Sequence, residues 1–338
     1  MNSTPSLPRR QMPWGDVPRA ACAAPDGILP VNKDAGVTSH DVVGAVRRLA
    51  GTRKVGHAGT LDPMATGLLI LGIGRGTKLL TYLSGKNKTY EARICLGVRT
   101  DTEDREGEIV SLPDARLAAR LKTLGGEEID AALRKFTGRQ MQVPSRVSAK
   151  KIGGRRAYDL ARAGEEVRLS PRPVTVESFL RTGPAVFSQE TVPGFATLEF
   201  PVSVRCTAGT YIRALARDLG EYLGVGAHLR MLHRSSVGGR RSSRALGVKQ
   251  YAQMTAAGRP LPVLPLSAVC KTLFPVVYVG AEEARALRFG QFIAMREPGE
   301  CPAGETGFPF AAYTEDGTAV ALLSARGDKL KPCLLLTP

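Results

Sequence analysis

One carboxylate stands alone in a strongly positive part of the chain. In the stretch GHAGTLDPMATG, residues 56–67, Asp62 is the only acid. The nearest acids in sequence are Asp41 and Glu91, and eight lysines and arginines lie between these two residues. An Asp-Pro pair in a loop usually forms a turn. A carboxylate placed among cations also fits a nucleophile or base that acts on a polyanion, because the cations hold the polyanion while the carboxylate reacts.

A second candidate group is an arginine near the start of a helix. The stretch GTYIRALARDLGEYLG has an apolar stripe with helical spacing, and Arg213 falls in its first turn. A cation is unfavourable there because the helix dipole places partial positive charge at that end. We therefore predict a carboxylate partner for Arg213. Arg217 and Asp218 are interpreted as ordinary surface charge on the same helix.

Other chemistries lack their patterns. The four histidines and six cysteines have no metal-ligand spacing, so we expect no metal site. The stretch GIGRGTK, residues 72–78, departs from a phosphate-binding loop because threonine precedes the lysine. There is no G-x-S-x-G nucleophile motif. These absences leave Asp62, with Arg213, as the candidate for chemistry.

The positive charge is concentrated in two regions. The 338 residues carry a net charge of +16, but residues 265–338 hold 7 cations and 8 acids. Residues 134–172 contain eleven lysines and arginines against three acids, and residues 222–281 contain no acid at all. Such asymmetry favours a nucleic-acid partner.

Hydrophobic patterns divide the chain into segments. We predict helices at TSHDVVGAVRRLAG, TKLLTYL, EEIDAALRKFTG and AEEARALRFG, strands with alternating apolar residues at TYEARICLG and ATLEFPVSVRC, and an acidic loop at DTEDREGEIV. Residues 1–27 are proline-rich without a continuous apolar run, so we expect a disordered tail and not a signal peptide. Residues 140–167, inside the basic segment 134–172, are predicted to form a projecting loop with one short helix. Residues 258–266 are interpreted as a proline-rich linker before a small β module at 265–338. No apolar run is long enough to span a membrane. We expect a reduced, cytoplasmic protein.

Four motifs together resemble the TruB-type tRNA pseudouridine synthases. They are GHAGTLDPMATG, NKTYEARICLGVRTDTEDREG, GTYIRALARDLG and GAHLRMLHR, in that order. The resemblance covers about residues 28–260, and the tail resembles the PUA-type module of bacterial members. It implies an α+β pseudouridine synthase fold with a large mixed sheet, a central catalytic cleft and a β-rich C-terminal module. It also implies a stand-alone, cofactor-free enzyme, expected to be a monomer, that isomerises uridine 55 in the T arm of tRNA.

The resemblance assigns roles to seven residues. Asp62 falls on the catalytic aspartate, Arg213 on the arginine that pairs with it, and Tyr90 on the tyrosine that stacks under the uracil. Substrate-binding positions match His57, which fills the space of the flipped base, Tyr211 and Leu232, which line the uracil pocket, and Lys33. Whether Asp62 attacks the sugar, attacks the base or removes the 2′ proton stays open. The basic segment 134–172 matches the insertion that folds over the T loop.

Some positions differ from the family pattern. Asn32 and Asp34 flank Lys33 where the family usually reads Asp-Lys-Pro. Ser145 replaces a common proline, Val147 a common aromatic residue, and His233 a frequent arginine.

Three alternatives compete with this interpretation. The first is a non-catalytic RNA-binding or tRNA-folding protein of the same fold, which would not need Asp62 with Arg213. The second is the guide-RNA-dependent relative of archaea and eukaryotes, and the third is an NTPase.

Overall fold

The computed structural model describes residues 11–145, 151–152, 155–156, 169–192, 195–295 and 309–336. In these ranges no helix combines the length and the apolar character needed to cross a membrane. The strands, in chain order, are β1 (Gly27–Lys33), β2 (Val55–His57), β3 (Thr66–Ile73), β4 (Lys88–Leu96), β5 (Arg99–Thr100), β6 (Ile109–Ser111), β7 (Gly138–Gln142), β8 (Lys151–Ile152), β9 (Arg155–Arg156), β10 (Arg172–Arg181), β11 (Val186–Val192), β12 (Phe195–Cys206), β13 (Ala227–Val237), β14 (Arg240–Arg241), β15 (Leu264–Pro265), β16 (Val276–Tyr278), β17 (Ile293–Ala294), β18 (Phe310–Tyr313), β19 (Ala319–Arg326) and β20 (Lys329–Leu335).

Helices connect or cover these strands. They are α1 (Ser39–Leu49), α2 (Leu80–Ser84), α3 (Ala115–Thr123), α4 (Gly126–Lys135), α5 (Ile212–Tyr222), α6 (Val248–Ala256), α7 (Leu266–Leu273) and α8 (Ala281–Arg288). The segment before α2, Gly74–Leu79, is a 3-10 helix, so only the end of the expected helix TKLLTYL is α-helical. The helices expected around residues 39–49, 126–135, 212–222 and 281–288 are present.

A large mixed sheet forms the body of the fold. Its main path runs β15-β1-β3-β13-β4-β12-β10-β7, with β2 beside β3, β14 beside β13, and β11 beside β12. The pairs are antiparallel except β13 with β3. A second sheet, β16-β18-β19-β20-β17, lies in the C-terminal part. The expected mixed α+β architecture is confirmed.

Strand β3 is buried on both faces, which explains its continuous apolar sequence. Its side chains alternate between two apolar clusters. Leu69 and Leu71 face the cluster that α1, α4, α5 and α6 complete. Leu68 and Ile70 face a cluster formed with α7 and the C-terminal sheet.

The proline-rich segment 258–266 is not a free linker, so that prediction is wrong. Leu261 is buried in the main core, and Leu264 pairs with Ile28 at the edge of the large sheet. The C-terminal sheet also shares an apolar cluster with β1 and β3. The prolines and the glycine of this segment suggested a linker, but the apolar residues between them determine how the segment packs against the rest of the fold.

The expected disorder of residues 1–27 is wrong for residues 11–26. Trp14 is buried in the main cluster. The backbone N–H groups of Ala20 and Ala24 donate to the carbonyls of Arg48 and Ala50, at 3.0 and 2.9 Å. Residues 11–26 form neither a helix nor a strand and pack irregularly over the end of α1. Their sequence therefore has no helical or strand periodicity.

Candidate functional site

A short loop between β2 and β3, residues 58–65, carries Asp62. The carbonyl of Asp62 accepts a hydrogen bond from the Ala65 N–H at 3.1 Å, as the Asp-Pro turn predicts. Gly67, the second residue of β3, has a φ of +103°. A Cβ there would lie 2.4 Å from the carbonyl oxygen of Arg234, so only glycine lets β3 approach β13.

Buried side chains hold this loop from three sides. The Ser39 hydroxyl, at the start of α1, accepts from the Leu61 N–H at 2.9 Å and donates to the Leu61 carbonyl at 3.2 Å. Arg234 donates to the carbonyls of Gly59 and Thr60 at 3.1 and 3.3 Å. Such bonds use the loop's own backbone and fix the position of the Asp62 carboxylate.

Lys33 is the third support of the loop. Its ammonium donates to the carbonyls of Ala65 at 2.6 Å, Asp34 at 2.9 Å and Pro63 at 3.2 Å. Burial lowers the pKa of Lys33 to about 8, although the Asp62 charge opposes this shift. Lys33 therefore lies beneath the loop and is 1% exposed.

Asp62 and Arg213 form a two-bond ion pair. Arg213 Nε lies 2.9 Å from Asp62 Oδ2, and its Nη2 lies 3.0 Å from Oδ1. The expected carboxylate partner of Arg213 is thus present, across 151 residues of sequence. This parallel geometry fixes the carboxylate plane as well as its position.

The other side of the Arg213 guanidinium is also occupied. Its Nη1 donates to the Thr102 carbonyl at 2.8 Å and lies 3.6 Å from Asp104 Oδ2. Burial alone would lower the pKa of Arg213, but the charges of Asp62, Asp104 and Glu103 outweigh burial and raise it. Arg213 therefore stays charged and cannot act as an acid.

A cavity of about 300 Å³ opens beside this pair. Five of the seven residues predicted for the site line it: Asp62, Tyr90, Tyr211, Arg213 and Leu232. They come from the 58–65 loop, β4, the start of α5, and β13. Burial raises the pKa of Tyr90, partly opposed by Arg234, so the phenol is protonated at neutral pH. The cavity therefore brings one carboxylate together with two phenols and with apolar side chains such as Leu232.

His57 and Lys33 do not line this cavity. His57 ends β2 and contacts His40 edge to face, with ring centroids 5.6 Å apart. Burial first, and then the neighbouring His40, lower the pKa of His57, so its ring is neutral at pH 7. His57 is near Asp62 in sequence but lies outside the cavity wall.

Two cations in the cavity wall were missed by the sequence analysis. They are Lys88, two residues before Tyr90, and Arg234, two residues after Leu232. Strand alternation could have found both, because residues i and i+2 share a face. Arg234 is also the cross-strand neighbour of Tyr90.

Arg217 and Asp218 are not ordinary surface charges, contrary to the prediction. Arg217 donates to Glu103 Oε1 at 2.6 Å, to Asp218 Oδ1 at 2.8 Å and to the Val143 carbonyl at 2.8 Å. Glu103 also accepts from the Ser145 hydroxyl and has a φ of +63°, a strained conformation for this residue. The network ties the acidic loop to α5 and to the segment after β7.

The remaining departures from the family pattern have different outcomes. Both ring nitrogens of His233 are in hydrogen bonds, to Thr66 Oγ1 at 2.8 Å and Ser242 Oγ at 3.0 Å. Val147 lies outside the described residues. Within the described part of the chain, no group of three or more acidic, histidine or cysteine side chains could hold a metal ion.

Comparisons with known proteins agree with one another along the chain. A sequence model of the TruB family pseudouridylate synthase N-terminal domain matches residues 47–212. A model of the C-terminal domain of tRNA pseudouridine synthase II matches residues 274–336. The tRNA pseudouridine synthase B of Arthrobacter sp. (strain FB24) is 47% identical over 313 residues, covering 92% of this chain and 97% of that relative. The enzyme of the same name from Nocardia farcinica (strain IFM 10152) is 45% identical, covering 92% and 94%.

Two solved structures share the fold. A chain in the crystal structure of a Cbf5-Nop10-Gar1 complex aligns with a TM-score of 0.64 at 22% identity, over 92% of this chain and 85% of that chain. A chain in the structure of an H/ACA RNP bound to a substrate RNA containing 2′-deoxyuridine gives 0.63 at 21% identity, with the same coverage. At this identity, the two structures support the architecture alone.

Proposed function

The chain belongs to the TruB family of pseudouridine synthases, and we propose that its target is uridine 55 in the T arm of tRNA. The enzyme forms pseudouridine in tRNA, as the family and the curated relatives establish. The T arm follows from the resemblance of the four motifs to that family. We expect a monomer that needs neither a metal nor a cofactor, because the isomerisation consumes nothing.

The reaction is an isomerisation within one nucleotide. The C1′–N1 bond breaks, the uracil turns, a C1′–C5 bond forms, C5 loses a proton and N1 gains one. In one route an Asp62 oxygen bonds to C1′ as N1 departs with the electron pair, and this bond breaks again when C5 bonds to C1′. In another Asp62 removes the 2′ proton, and in a third it adds to the base. In each route Asp62 is the nucleophile or base.

The single observation that carries this proposal is the Asp62 carboxylate, held in a fixed position at a cavity that aromatic and apolar side chains also line. Arg213 holds both carboxylate oxygens, while Tyr90, Tyr211 and Leu232 line the same cavity. A uracil ring placed there would contact the Tyr90 ring, whose phenol is near enough to the base to serve in proton transfer from C5. The apolar wall would limit the access of water to C1′.

The other predicted residues receive supporting roles. We propose that His57 occupies the space of the flipped nucleotide, since flipping costs a few kcal/mol and a neutral ring offsets part of that cost. Lys33 supports the Asp62 loop by its hydrogen bonds to the carbonyls of Pro63 and Ala65. Residues 28–260 would form the catalytic domain, with segment 134–172 gripping RNA, and 265–338 the PUA-type module.

A non-catalytic tRNA-folding protein is the alternative. Such a protein would gain nothing from a buried arginine that fixes a partly exposed carboxylate, whereas an enzyme requires this arrangement.

To test the proposed function, purified protein is incubated with total tRNA that lacks the modification, and pseudouridine is mapped chemically. We expect a signal at position 55 of the T arm. Pseudouridine at another position would refute the target, and its absence from every tRNA would favour the folding protein.

A further inference from the structure

Two buried cations face the catalytic cavity without a carboxylate partner. Lys88 is 7% exposed and Arg234 is 0% exposed, yet both line the cavity. Neither forms an ion pair with any acid in the described ranges of the chain. Asp62, the only acid in the cavity wall, is already held by Arg213. The wall therefore carries one carboxylate and three cations.

The hydrogen bonds of these cations are to backbone carbonyls, apart from one between Arg234 and the Tyr90 side chain. Lys88 Nζ donates to the carbonyls of Ser84 at 2.8 Å and Lys86 at 2.9 Å. This leaves one ammonium hydrogen without an acceptor among the described residues. Arg234 Nε donates to the Leu68 carbonyl at 2.7 Å, and its other nitrogens support the Asp62 loop. Carbonyls solvate a cation but do not neutralise it, so the cavity keeps an unbalanced positive charge.

The reaction creates a negative charge in the same cavity. When the C1′–N1 bond breaks, its electron pair stays with N1, and the free uracil is an anion delocalised over N1, O2 and O4. If Asp62 adds to the base instead, the ring becomes an enolate. In each case the charge appears on the base. It is lost when C5 bonds to C1′, and the proton that C5 then releases is balanced by a proton gained at N1.

We propose that Lys88, together with Arg234, stabilises the uracil anion while the base is detached and turning. This inference rests on pseudouridine formation, not on the position of the target uridine. Fixed cations in a water-excluded cavity stabilise developing charge more strongly than they would in water. A diffuse positive wall also suits a base that must rotate, because it does not fix one orientation.

A phosphate subsite is the competing explanation of the same cations. A phosphate group is charged before and after the reaction, so a subsite of that kind would act on RNA binding. The uracil anion exists only during the reaction, so its stabilisation acts on kcat. The two explanations therefore predict different kinetic changes.

The charge on Lys88 depends on pH. Burial, and next the charge of Arg234, lower the pKa of Lys88 to about 8, while Cys206 opposes them. The other titratable groups facing it stay in one form: the Cys206 thiol has a pKa of about 11, and burial raises that of Tyr90. Arg213 remains charged and bound to Asp62. Lys88 is therefore cationic below pH 8 and loses its charge as the pH rises through 8.

The test compares Lys88→Met and Lys88→Arg with Lys122→Met, an exposed control on α3. Single-turnover rates, tRNA affinity at several salt concentrations, melting temperatures and pH profiles are measured on whichever uridine the wild type modifies. For Lys88→Met we expect a loss of about a hundredfold in rate, with affinity and salt slope unchanged. Lys88→Arg should retain activity and show a smaller fall in rate as the pH rises through 8. The fall that remains comes from Lys33, whose pKa is also about 8. Lys122→Met should match the wild type.

Two results would overturn the proposal. One is a folded Lys88→Met enzyme with wild-type rate. The other is unchanged rate at saturation with weaker binding and a salt slope reduced by about 0.7–0.9, which indicates a lost phosphate contact. If Lys88→Met does not fold, the wild-type profile decides, because no fall in rate between pH 7 and 9 also contradicts the proposal. An inactive wild type would instead refute the proposed function.

Discussion

The Arg213 guanidinium contacts other groups besides the Asp62 carboxylate. It binds Asp62 through two nitrogens and uses the third for the Thr102 carbonyl and Asp104. A lysine at this position would place one point charge where a planar fork is required. For Arg213→Lys we expect a folded protein of lower melting temperature, with kcat reduced about a hundredfold because a misplacement near 1 Å has that effect.

The matched control is Arg181→Lys. Arg181 forms the same two-bond pair, with Asp130 at 2.9 and 2.8 Å, but outside the cavity. We expect no change in kcat for this variant. Equal loss of turnover in both variants would show that the effect comes from stability and not from the position of Asp62.

At this scale the sequence was informative about charges in unusual places. Asp62 among cations and Arg213 at a helix start could be recognised from electrostatics alone. Lys88 and Arg234 could not be recognised from electrostatics, because a basic protein contains many similar cations. Their burial depends on which face of β4 and β13 meets the cavity, and this is decided by the pairing of distant strands.

Among the elements, β7 is joined to the start of α5 by one side chain. The Gln142 amide donates to the Tyr211 carbonyl at 3.0 Å and accepts from the Tyr211 N–H at 2.9 Å. Gln142→Ala leaves the Tyr211 N–H without this acceptor, whereas the Tyr211 carbonyl keeps the hydrogen bond from the Leu215 N–H at 3.1 Å. An unsatisfied buried group costs about 1–3 kcal/mol. We expect a lower melting temperature and a raised KM, because Tyr211 lines the cavity.

The control for this prediction lies on the same strand. Gln140 donates to the Phe136 carbonyl at 2.7 Å and does not contact α5. Gln140→Ala should leave KM unchanged. A Gln142→Ala enzyme with wild-type KM and stability would show that this pair of bonds does not hold the cavity wall.

Elements with a clear period were predicted well. The alternating stretches around β4 and β12 and the apolar stripe of α5 are where the sequence indicated them. The prediction failed at residues 11–26 and at 258–266, where no period exists. In both segments a few apolar residues, such as Trp14 and Leu261, pack against a surface that forms only after the rest of the chain has folded.

At the scale of the whole molecule, we expect RNA binding to depend on the uneven distribution of positive charge along the chain. Lys150, Lys151, Arg155 and Arg156 belong to the basic segment 134–172 and lie outside the residues whose side chains the structure describes. If they contact phosphates, replacing them by glutamine should weaken tRNA binding, and each lost contact should reduce the log–log salt slope by about 0.7–0.9. Binding measured between low and high salt tests this, with Lys122→Gln as control. An unchanged slope would mean that these cations do not contact RNA.

The C-terminal module is part of the same folded body. Its sheet and α7 cover Ile28, Leu68 and Ile70 on the back of the large sheet. A chain shortened near Pro262 would expose this apolar surface, so surface substitutions test the module better than deletion does. Its near-neutral charge, visible in the sequence, indicates that it is not the main electrostatic contact with RNA.

The most direct test of the whole account is Asp62→Asn. Asparagine keeps the shape of the side chain but cannot act as a carboxylate nucleophile or base. One preparation is assayed for tRNA binding by filter retention and for pseudouridine by chemical mapping, with Asp130→Asn as the control that loses an equivalent arginine pair. We predict that Asp62→Asn binds tRNA as well as the wild type or slightly better, keeps its fold and forms no pseudouridine, while Asp130→Asn stays active. Retained turnover in Asp62→Asn would contradict the account.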